Sequence, residues 1–411
     1  GYTLAENSPC LGTGENGANM GALGVGCGPI YIGPVWHVAT TGSDSTGDGS
    51  EANPFATIQT GINATTDGDT LLVAAGTYVE NINYNGKKIS IIGEDRETTI
   101  IDANGAQYGV VIDSSALLKS FTIQNASGGT NDFDAGGIVM GGNATLDDLI
   151  VQNNQGSGDQ YGNGIGGGVI ARGSGILKNS ILRNNTGPSD HGELFVNNGT
   201  SEFVSDTVTV ENCLITSFSQ GGCSIQFKNG TPRLIVNNCT AIGLNQSGHL
   251  QISSGYASVN NSIIFSNDYD PIYGDEVYEN LIITNSNITN GYSGEGNIDS
   301  DPLFCNPDSG DYTLAENSPC VGTGEDGANM GAFGVGCGIQ VDWDFSLSQP
   351  VIEVMGTDNV WNPGDTISVE MDFCNNTDVA HNWYPGVTIE SDSSLTSLHV
   401  GHIWFYAMVA D

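Results

Sequence analysis

A seven-residue phrase that recurs seven times between residues 116 and 290 organises this sequence. It first reads LLKSFTI from Leu117 and last reads IITNSNI from Ile282. The fourth positions of successive copies are 28, 31, 33, 26, 23 and 24 residues apart. Repeats of this period are typical of solenoids, in which each repeat forms one coil that stacks on the next. The fourth positions are Ser120, Asp148, Asn179, Asn212, Asn238, Asn261 and Asn285.

Apolar and polar residues alternate within each phrase, which indicates a strand with one buried face. The second position is always apolar, from Leu118 in the first copy to Ile283 in the last. Asn at the fourth position tolerates a bent backbone, and stacked Asn amides can bond along a column. We therefore predict an all-β parallel β-helix; the alternative is an antiparallel β-sandwich, which needs no ladder in register. The predicted structural ladder consists of Asn179, Asn212, Asn238, Asn261 and Asn285.

The charge balance of the 411-residue chain is strongly acidic, with 47 acids, 9 bases and a net charge of −38. So few bases exclude nucleic acid and anionic membrane as partners. No apolar run is long enough to span a bilayer, so we predict no membrane insertion. The 59 glycines follow no collagen period and suit a fold made of many turns.

Residues 1–28 and 311–338 are two copies of one motif, identical at 24 of 28 positions. Because the second copy follows the repeats, we interpret it as the motif that closes the solenoid. The first copy then closes a preceding solenoid of a tandem array, and the alternative is a free-standing cap module. The predicted partners are other copies of the chain or neighbouring tandem modules.

The stretch that follows residue 34 has a strand at Trp36–Ala39, a Gly/Ser/Asp loop, a short helix at Thr57–Ala64 and a Gly76-Thr77-Tyr78 strand. These features resemble the amino-terminal part of the pectin-lyase-like right-handed parallel β-helix family. With the repeats, the resemblance extends from Val35 to Gly338. It implies a right-handed solenoid over residues 35–338, with the helix as the cap of its open end. Residues 1–34 are then the closing motif of a preceding module and a linker.

The character of the sequence changes over residues 339–411, where alternating strands flank a turn at Pro363–Asp365. This part resembles a cell-adhesion-related immunoglobulin-like module of bacterial surface proteins. It is shorter than the ~100 residues of such a sandwich. We therefore predict an incomplete immunoglobulin-like β-sandwich at the carboxyl end.

Nine cysteines indicate an oxidising, extracellular environment. Equal spacing suggests disulfides within the pairs Cys10 and Cys27, and Cys320 and Cys337. The connectivity of the cysteines, including Cys305 and Cys374, stays open. Two others, Cys213 and Cys239, share the fifth position of neighbouring phrases and are interpreted as stacked core residues.

The resemblance implies cleavage of acidic polysaccharides, and this chemistry needs particular residues. A calcium-assisted lyase requires carboxylates and an Arg or Lys base, and a hydrolase requires paired carboxylates. The candidates are Asp147, Asp148, Arg172 and Arg183. Asp148 occupies a bend position, so a structural role is favoured for it, and the two arginines are assigned to loop carbonyls. These candidates do not form a complete catalytic site, so we assign no catalytic residue.

Acidic loops offer a second kind of site. Carboxylates clustered with backbone carbonyls can hold Ca²⁺, and solvated loops are the alternative interpretation. The candidate calcium ligands are Asp44, Asp48 and Glu51 in one loop and Asp268, Asp270 and Asp275 in another.

These observations favour an extracellular structural or adhesive protein of the bacterial cell surface, with a rigid β-helical rod that assembles head to tail into a filament or layer. The alternative is a polysaccharide lyase, a glycoside hydrolase or a glycan-binding module of the same fold. Extracellular polysaccharide is accordingly a further predicted partner.

Overall fold

The structure is a computed structural model that describes residues 4–5, 25–27, 34–128, 136–157, 166–187, 192–196, 206–217, 233–243, 250–251, 256–266, 271–273, 280–340, 345–347, 351–355, 366–370 and 373–375. The chain divides into two compact units, residues 1–340 and residues 341–411. The first contains one described α-helix, α1 (Ile58–Ala64).

The described strands are numbered in the order in which they follow one another along the chain. They are β1 (Leu4–Ala5), β2 (Val25–Cys27), β3 (Val35–Val38), β4 (Thr70–Val73), β5 (Gly76–Val79), β6 (Ile82–Asn83), β7 (Ser90–Gly93), β8 (Thr99–Asp102), β9 (Tyr108–Ile112), β10 (Leu117–Gln124), β11 (Gly136–Met140), β12 (Ala144–Gln152), β13 (Val169–Ala171), β14 (Gly175–Lys178), β15 (Ile181–Arg183), β16 (Leu194–Val196), β17 (Thr207–Glu211), β18 (Leu214–Ser217), β19 (Arg233–Asn237), β20 (Thr240–Gly243), β21 (Leu250–Gln251), β22 (Tyr256–Asn260), β23 (Ile263–Ser266), β24 (Ile272–Tyr273), β25 (Leu281–Thr284), β26 (Asn287–Ile288), β27 (Phe304–Asn306), β28 (Asp311–Ala315), β29 (Val335–Cys337), β30 (Phe345–Leu347), β31 (Val351–Met355), β32 (Thr366–Glu370) and β33 (Phe373–Asn375).

Three parallel sheets wind around one axis and confirm the predicted right-handed parallel β-helix. The first sheet runs β3, β4, β7, β10, β12, β14, β17, β19, β22 and β25. The second runs β5, β8, β10, β12, β15, β18, β20, β23 and β26, so β10 and β12 belong to both. The third runs β6, β9, β11, β13 and β16. Each strand therefore pairs with its equivalent one coil further along the chain.

The bend between the first and second sheets is made by the fourth position of the repeated phrase. All seven residues there have positive φ, from 49° at Asn285 to 60° at Ser120. This left-handed conformation is strained for most residues and least so for Asn and Asp among those with a side chain. Side-chain amides also join neighbouring coils, with Asn261 Nδ2 donating to Asn238 Oδ1 at 2.9 Å and Asn212 Nδ2 to Asn179 Oδ1 at 3.3 Å. The Asn preference therefore follows from both the backbone and the column.

The core is a stack of aliphatic side chains inside the coils. The second position of the phrase is fully buried at Leu118, Leu146, Leu177 and Val210. Burial of each such side chain stabilises the fold by about 1.5–3 kcal/mol. Because strand pairing is in register, each inward side chain packs on its equivalents above and below.

Helix α1 packs against strands β3, β4 and β6 at the amino-terminal end of the solenoid. Thr57 is its N-cap and accepts the Thr60 N–H, while the Glu80 carboxylate accepts the N–H groups of Ile58 and Gln59. Gly61 lies against Leu71 and Val38, where a Cβ would clash with both side chains. The absence of a side chain at residue 61 therefore lets the helix approach the first coils closely.

The closing segment, residues 311–338, packs against the side of the solenoid. Strand β28 pairs antiparallel with β27 and parallel with β29. This small sheet covers the outer side of the second sheet, where Leu214, Ile242 and Ile263 form a second apolar cluster with Phe304 and Leu314. None of the helices in the described ranges is long and apolar enough to cross a membrane.

The second unit has two described strand pairs, both antiparallel: β30 with β33, and β31 with β32. Its resemblance to an immunoglobulin-like module stays a prediction.

Candidate functional site

The outer face of the first sheet carries side chains at every second position of its strands. In β14, Ile176 and Lys178 point outward, while Leu177 between them is fully buried. In-register pairing aligns such side chains into rows whose steps are about 4.8 Å. We call the following outward residues the ladder face: Lys119, Asp147, Lys178, Glu211, Ile176, Arg233, Tyr256 and Ile282.

One row of the ladder face alternates in charge. Lys119, Asp147, Lys178 and Glu211 are successive register partners. Asp147 Oδ2 lies 3.2 Å from Lys119 Nζ and 3.8 Å from Lys178 Nζ. The side chain of Asp147 is only 10% exposed, whereas those of the two lysines are 41% and 37% exposed. The carboxylate therefore holds two ammonium groups at the surface of the sheet.

The pKa of Asp147 is lowered from its ordinary value. Burial alone would raise this pKa, but the hydrogen bonds from Asn179 and Lys119 and the charges of Lys119 and Lys178 outweigh it. Asn179 Nδ2 donates to Asp147 Oδ1 at 2.7 Å, so both carboxylate oxygens are engaged. Asp147 is therefore ionised at neutral pH and cannot donate a proton there.

The neighbouring carboxylate, Asp148, is held by an arginine from an earlier coil. Arg96, in the loop between β7 and β8, donates from Nη1 to Asp148 Oδ1 at 3.2 Å. Ser120 Oγ donates to the other carboxylate oxygen at 2.8 Å. The two predicted acids are therefore each engaged by a base and by a polar neighbour in the bend.

The ladder face also exposes large apolar side chains. Tyr256 is 52% exposed, Ile282 66% and Ile176 39%. Arg233 is the register partner of Tyr256. The face thus combines aromatic, aliphatic and charged groups on one flat surface, and its three bases and two acids contrast with 9 bases and 47 acids in the chain.

The four candidate catalytic residues lie on three different sheets and on a bend. Asp147 and Asp148 end the first-sheet part of β12 and form its bend. Arg183 ends β15 in the second sheet, and its Nε donates to Gln152 Oε1 at 2.9 Å. Arg172 follows β13 of the third sheet. In the described ranges, the ionic partners of Asp147 are Lys119 and Lys178, and that of Asp148 is Arg96, rather than Arg172 or Arg183.

In the first predicted calcium loop, two carboxylates have structural partners. Asp44 accepts the N–H groups of Ala56 and Thr57 and the Thr57 hydroxyl, and Asp48 accepts the N–H and hydroxyl of Ser50. Among the described residues, no group of three or more His, Cys, Asp or Glu side chains could hold a metal ion. Glu51 is exposed beside these turns. The second loop, with Asp268, Asp270 and Asp275, lies outside the described residues, so calcium binding there stays a prediction.

The prediction of a disulfide between Cys320 and Cys337 is wrong. Cys337 is bonded to Cys305, which precedes the duplicated motif. Cys320 is a buried free thiol whose Sγ accepts a hydrogen bond from Asn287 Nδ2 at 3.1 Å. Spacing within the duplicated motif did not reveal this bond because Cys305 lies on β27, outside the motif, while Cys320 is buried in the second apolar cluster. Of the equivalent pair, Cys10 lies outside the described residues and Cys27 ends β2.

A buried polar column, not predicted from the sequence, lies at the end of the second sheet. Asn154 Nδ2 donates to Asn185 Oδ1 at 2.9 Å, and Asn185 donates its backbone N–H to Glu193 Oε1 at 3.1 Å. All three are at most 1% exposed. Burial raises the pKa of Glu193 to about 8, although the hydrogen bonds from Asn185 lower it. The repeated Asn-Asn pairs at residues 153–154 and 184–185 were the available signal.

A second column follows the bends and includes Cys213 and Cys239, whose predicted core position is confirmed by their burial. The fifth position of the phrase is Ser or Cys in five successive coils: Ser180, Cys213, Cys239, Ser262 and Ser286. Ser180 Oγ accepts the Leu149 N–H of the preceding coil at 3.0 Å and donates to the carbonyl of Lys178 at 2.7 Å. Ser262 and Ser286 repeat this pattern. Cys213 and Cys239 are buried, have no disulfide and donate to the equivalent carbonyls. A small polar side chain here therefore satisfies a backbone N–H that the bend turns into the core.

Comparisons with known proteins gave solved structures only. No family model and no curated protein matches the chain. A pectate lyase, Pel9A, is 15% identical with a TM-score of 0.44, over 75% of this chain and 98% of the lyase. A pectin methylesterase from carrot is 14% identical with a TM-score of 0.37, over 66% of this chain and 90% of the esterase. A pectin methylesterase from Aspergillus niger is 12% identical with a TM-score of 0.34, over 65% of this chain and 84% of the esterase. At this level the likeness carries no function over to this chain.

Proposed function

We propose that the chain is an extracellular glycan-binding protein whose ladder face binds an extended acidic polysaccharide. The observation that carries the proposal is the composition of this one face. In a chain with a net charge of −38, it gathers Lys119, Lys178 and Arg233 on one sheet and adds an exposed tyrosine. It is therefore a surface on which a polyanion meets ammonium and guanidinium groups.

The geometry suits a polymer. The rows repeat at the strand spacing of about 4.8 Å, so equivalent contacts can be made along a chain of sugars. Lysine and arginine donate hydrogen bonds to hydroxyl and carboxylate oxygens. Tyr256 and the exposed isoleucines offer apolar area to the C–H faces of the sugar rings. Binding through many weak, repeated contacts is what an adhesive surface protein requires.

Binding without turnover is favoured over hydrolysis at this face. A hydrolase needs one protonated carboxyl group as its acid and a second carboxylate as nucleophile or base. The lowered pKa of Asp147 keeps this carboxylate ionised at neutral pH, so it cannot serve as the acid, and Asp148 is engaged by Arg96. An adhesive role is thus the more economical account of this face.

Extracellular placement is part of the proposal. It is supported by the Cys305–Cys337 disulfide, because such bonds persist in oxidising compartments.

The test measures binding of the full chain to polygalacturonate, alginate and an uncharged glucan by calorimetry and affinity electrophoresis. We expect binding to the two acidic polymers that weakens with salt. Tyr256→Ala should weaken it by about tenfold, equivalent to about 1.4 kcal/mol. Lys88→Gln, which removes an exposed lysine outside the ladder face, is the matched control.

Two outcomes contradict the proposal. One is equal affinity for the wild type, the Tyr256→Ala variant and a Lys119→Gln/Lys178→Gln double variant that still unfolds cooperatively. The other is cleavage of the polymers, followed by the ultraviolet absorbance of unsaturated uronates or by new reducing ends. Cleavage that is lost in Asp147→Ala would assign the face to an enzyme instead.

A further inference from the structure

The closing segment binds the second sheet through a specific set of contacts. Leu314 and Met330 are buried in the second apolar cluster, against Leu214, Ile242 and Ile263 of the solenoid. The outer side of β18, β20 and β23 is therefore the apolar docking face of the segment.

Polar contacts fix the position of the segment on this face. The Glu325 N–H donates to Asn261 Oδ1 at 2.9 Å, and Asn261 Nδ2 donates to the Asn329 carbonyl at 3.2 Å. The Ala332 N–H donates to Thr240 Oγ1 at 2.9 Å. The same bend column that shapes the coils thus supplies the acceptors for the segment.

A covalent bond completes the attachment. Cys337 at the end of the segment is bonded to Cys305 on β27, which lies before residue 311 and outside the duplicated motif. The motif therefore contributes one half of this disulfide, and the docking side contributes the other.

Residues 1–28 retain most of the contact residues, and Leu11 and Leu23 replace Val321 and Phe333, which pack against the second apolar cluster. The four differences between the copies are Gly1 for Asp311, Leu11 for Val321, Asn16 for Asp326 and Leu23 for Phe333. Strands β1 and β2 also pair in the register of β28 and β29, with Leu4 opposite Val25 and Ala5 opposite Cys27. The retained contact residues are Tyr2, Leu4, Cys10, Glu15, Asn19, Met20, Ala22 and Cys27.

The short connection after residue 27 disfavours docking of the first copy on its own solenoid. Cys305 follows Phe304, whose ring lies 6.2 Å from that of Phe265 in β23. The coil of β22 and β23 is eight strand spacings from β3, or about 38 Å. The eight residue steps from Cys27 to Val35 span at most about 29 Å. The 5.8 Å between the Cα atoms of the disulfide extends this reach to about 35 Å, which is still shorter than about 38 Å. These lengths favour a bond between Cys27 and Cys305 of another molecule.

We propose that residues 1–28 are a second docking segment, which occupies the face of β18, β20 and β23 on a second copy of the chain and bonds Cys27 to that copy's Cys305. It displaces residues 311–338 of the accepting copy and makes nearly the same interactions in their place. Each copy donates one segment and accepts one, which gives an open, head-to-tail assembly. Residues 311–338 belong to the same chain as the docking face and therefore compete for it at a high effective concentration. Their replacement by residues 1–28 of another copy should therefore increase with protein concentration.

The disulfide step needs an oxidant, and glutathione disulfide serves. The thiolate of Cys305 attacks it and releases one glutathione thiolate; the Cys27 thiolate then attacks the mixed disulfide and releases the second. Two protein thiols become one disulfide, and one glutathione disulfide becomes two glutathione thiols.

The test refolds the reduced, denatured full chain in a glutathione redox buffer at low and high protein concentration. Non-reducing electrophoresis separates covalent oligomers, and peptide mass mapping identifies the bonds. For the wild type we expect Cys305–Cys337 at low concentration and additional Cys27–Cys305 in oligomers at high concentration. In Cys337→Ser the competing thiol is absent, so the Cys27–Cys305 oligomers should increase several-fold. Cys374→Ser, which removes a cysteine of the second unit, should match the wild type.

The proposal is overturned if Cys27 is found bonded to Cys10 within monomers and Cys305 stays a thiol or a glutathione adduct in Cys337→Ser. Leu4→Asp in the Cys337→Ser background should abolish the oligomers if they depend on docking, and their persistence would show random oxidation. If Cys337→Ser does not fold, the wild type alone decides, because absence of Cys27–Cys305 at every concentration contradicts the exchange.

Discussion

The fully buried carboxyl group of Glu193 accepts the backbone N–H of Asn185 at 3.1 Å, and the Asn185 side-chain amide donates to its other oxygen. The pair ends a column of buried amides that starts at Asn154. A carboxyl group in this position terminates the column with an acceptor, but its ionised form is far from water. The stability of the solenoid is therefore coupled to one proton.

We predict that Glu193 makes folding less favourable as pH rises from about 4.5 to about 8. The folded pKa of about 8 exceeds the ordinary value of 4.5, so over this interval the native state retains a proton that the unfolded chain has lost. The contribution to the free energy of unfolding is complete below pH 4.5 and is lost as pH rises through the folded pKa. The loss is on the order of a few kcal/mol, since one pKa unit equals about 1.4 kcal/mol.

Urea unfolding at pH 5 and pH 8 measures this effect. In Glu193→Gln the pH-dependent loss should be smaller than in the wild type, although the variant starts less stable because its NH₂ group faces a donor of Asn185. Glu51→Gln, at an exposed carboxylate, should retain the wild-type difference between the two pH values. Equal pH dependence in all three proteins would contradict the prediction.

The column after the bends gives a second prediction. Ser180→Ala leaves the Leu149 N–H without its acceptor inside the core, and an unsatisfied buried group costs about 1–3 kcal/mol. Ser180→Cys should cost less, because cysteine serves at the same position in Cys213 and Cys239. Thermal unfolding of both variants should rank them in this order, with Ser309→Ala as an exposed serine control. A larger loss for the cysteine variant than for alanine would refute the proposed role.

The sequence predicted the solenoid and its bend column because both depend on local residue choice repeated at each coil. Asn212 and its equivalents indicate a left-handed backbone conformation, and Leu177 and its equivalents indicate burial. Because both signals recur in every copy of the phrase, each copy adds support to the prediction. The Arg96–Asp148 contact was missed because it joins residues 52 positions apart, in different coils, without a repeated pattern. The Cys305–Cys337 bond was missed for a similar reason: it depends on how β27 and β29 are brought to β28, which spacing does not encode.

A third prediction separates the backbone from the amide in the bend column. Asn212 has φ of 51° and is exposed. Asn212→Ala should destabilise the protein by about 1–2 kcal/mol, because a Cβ without a compensating polar group disfavours the left-handed conformation. Asn212→Gly should be closer to the wild type, since glycine adopts this conformation without strain. Thr209→Ala, on the strand that precedes the bend, controls for side-chain truncation. A loss of stability shared by both variants reports the amide bond to Asn179. If glycine proves no better than alanine, the left-handed backbone does not explain the Asn preference.

The last prediction concerns the disulfide that attaches the closing segment. Cys305 and Cys337 are 32 residues apart, and closing a loop of this size restricts the unfolded chain by about 3–4 kcal/mol in the chain-entropy model. Cys305→Ser should lower the free energy of unfolding of the closing segment by this amount. A reductant should lower that of the wild type equally and leave the variant unchanged. Cys320→Ser is the matched control, because its hydroxyl can still accept the bond from Asn287.

The effect of Cys305→Ser also depends on where unfolding starts. Phe304, Tyr312 and Leu314 pack beside the disulfide in the second apolar cluster, apart from the main core of the coils. Loss of the bond should therefore let residues 311–338 detach while the coils stay folded. Limited proteolysis should then cut within the closing segment of Cys305→Ser before it cuts the wild type. Simultaneous loss of the whole solenoid at the same protease dose would show that segment and coils unfold as one unit.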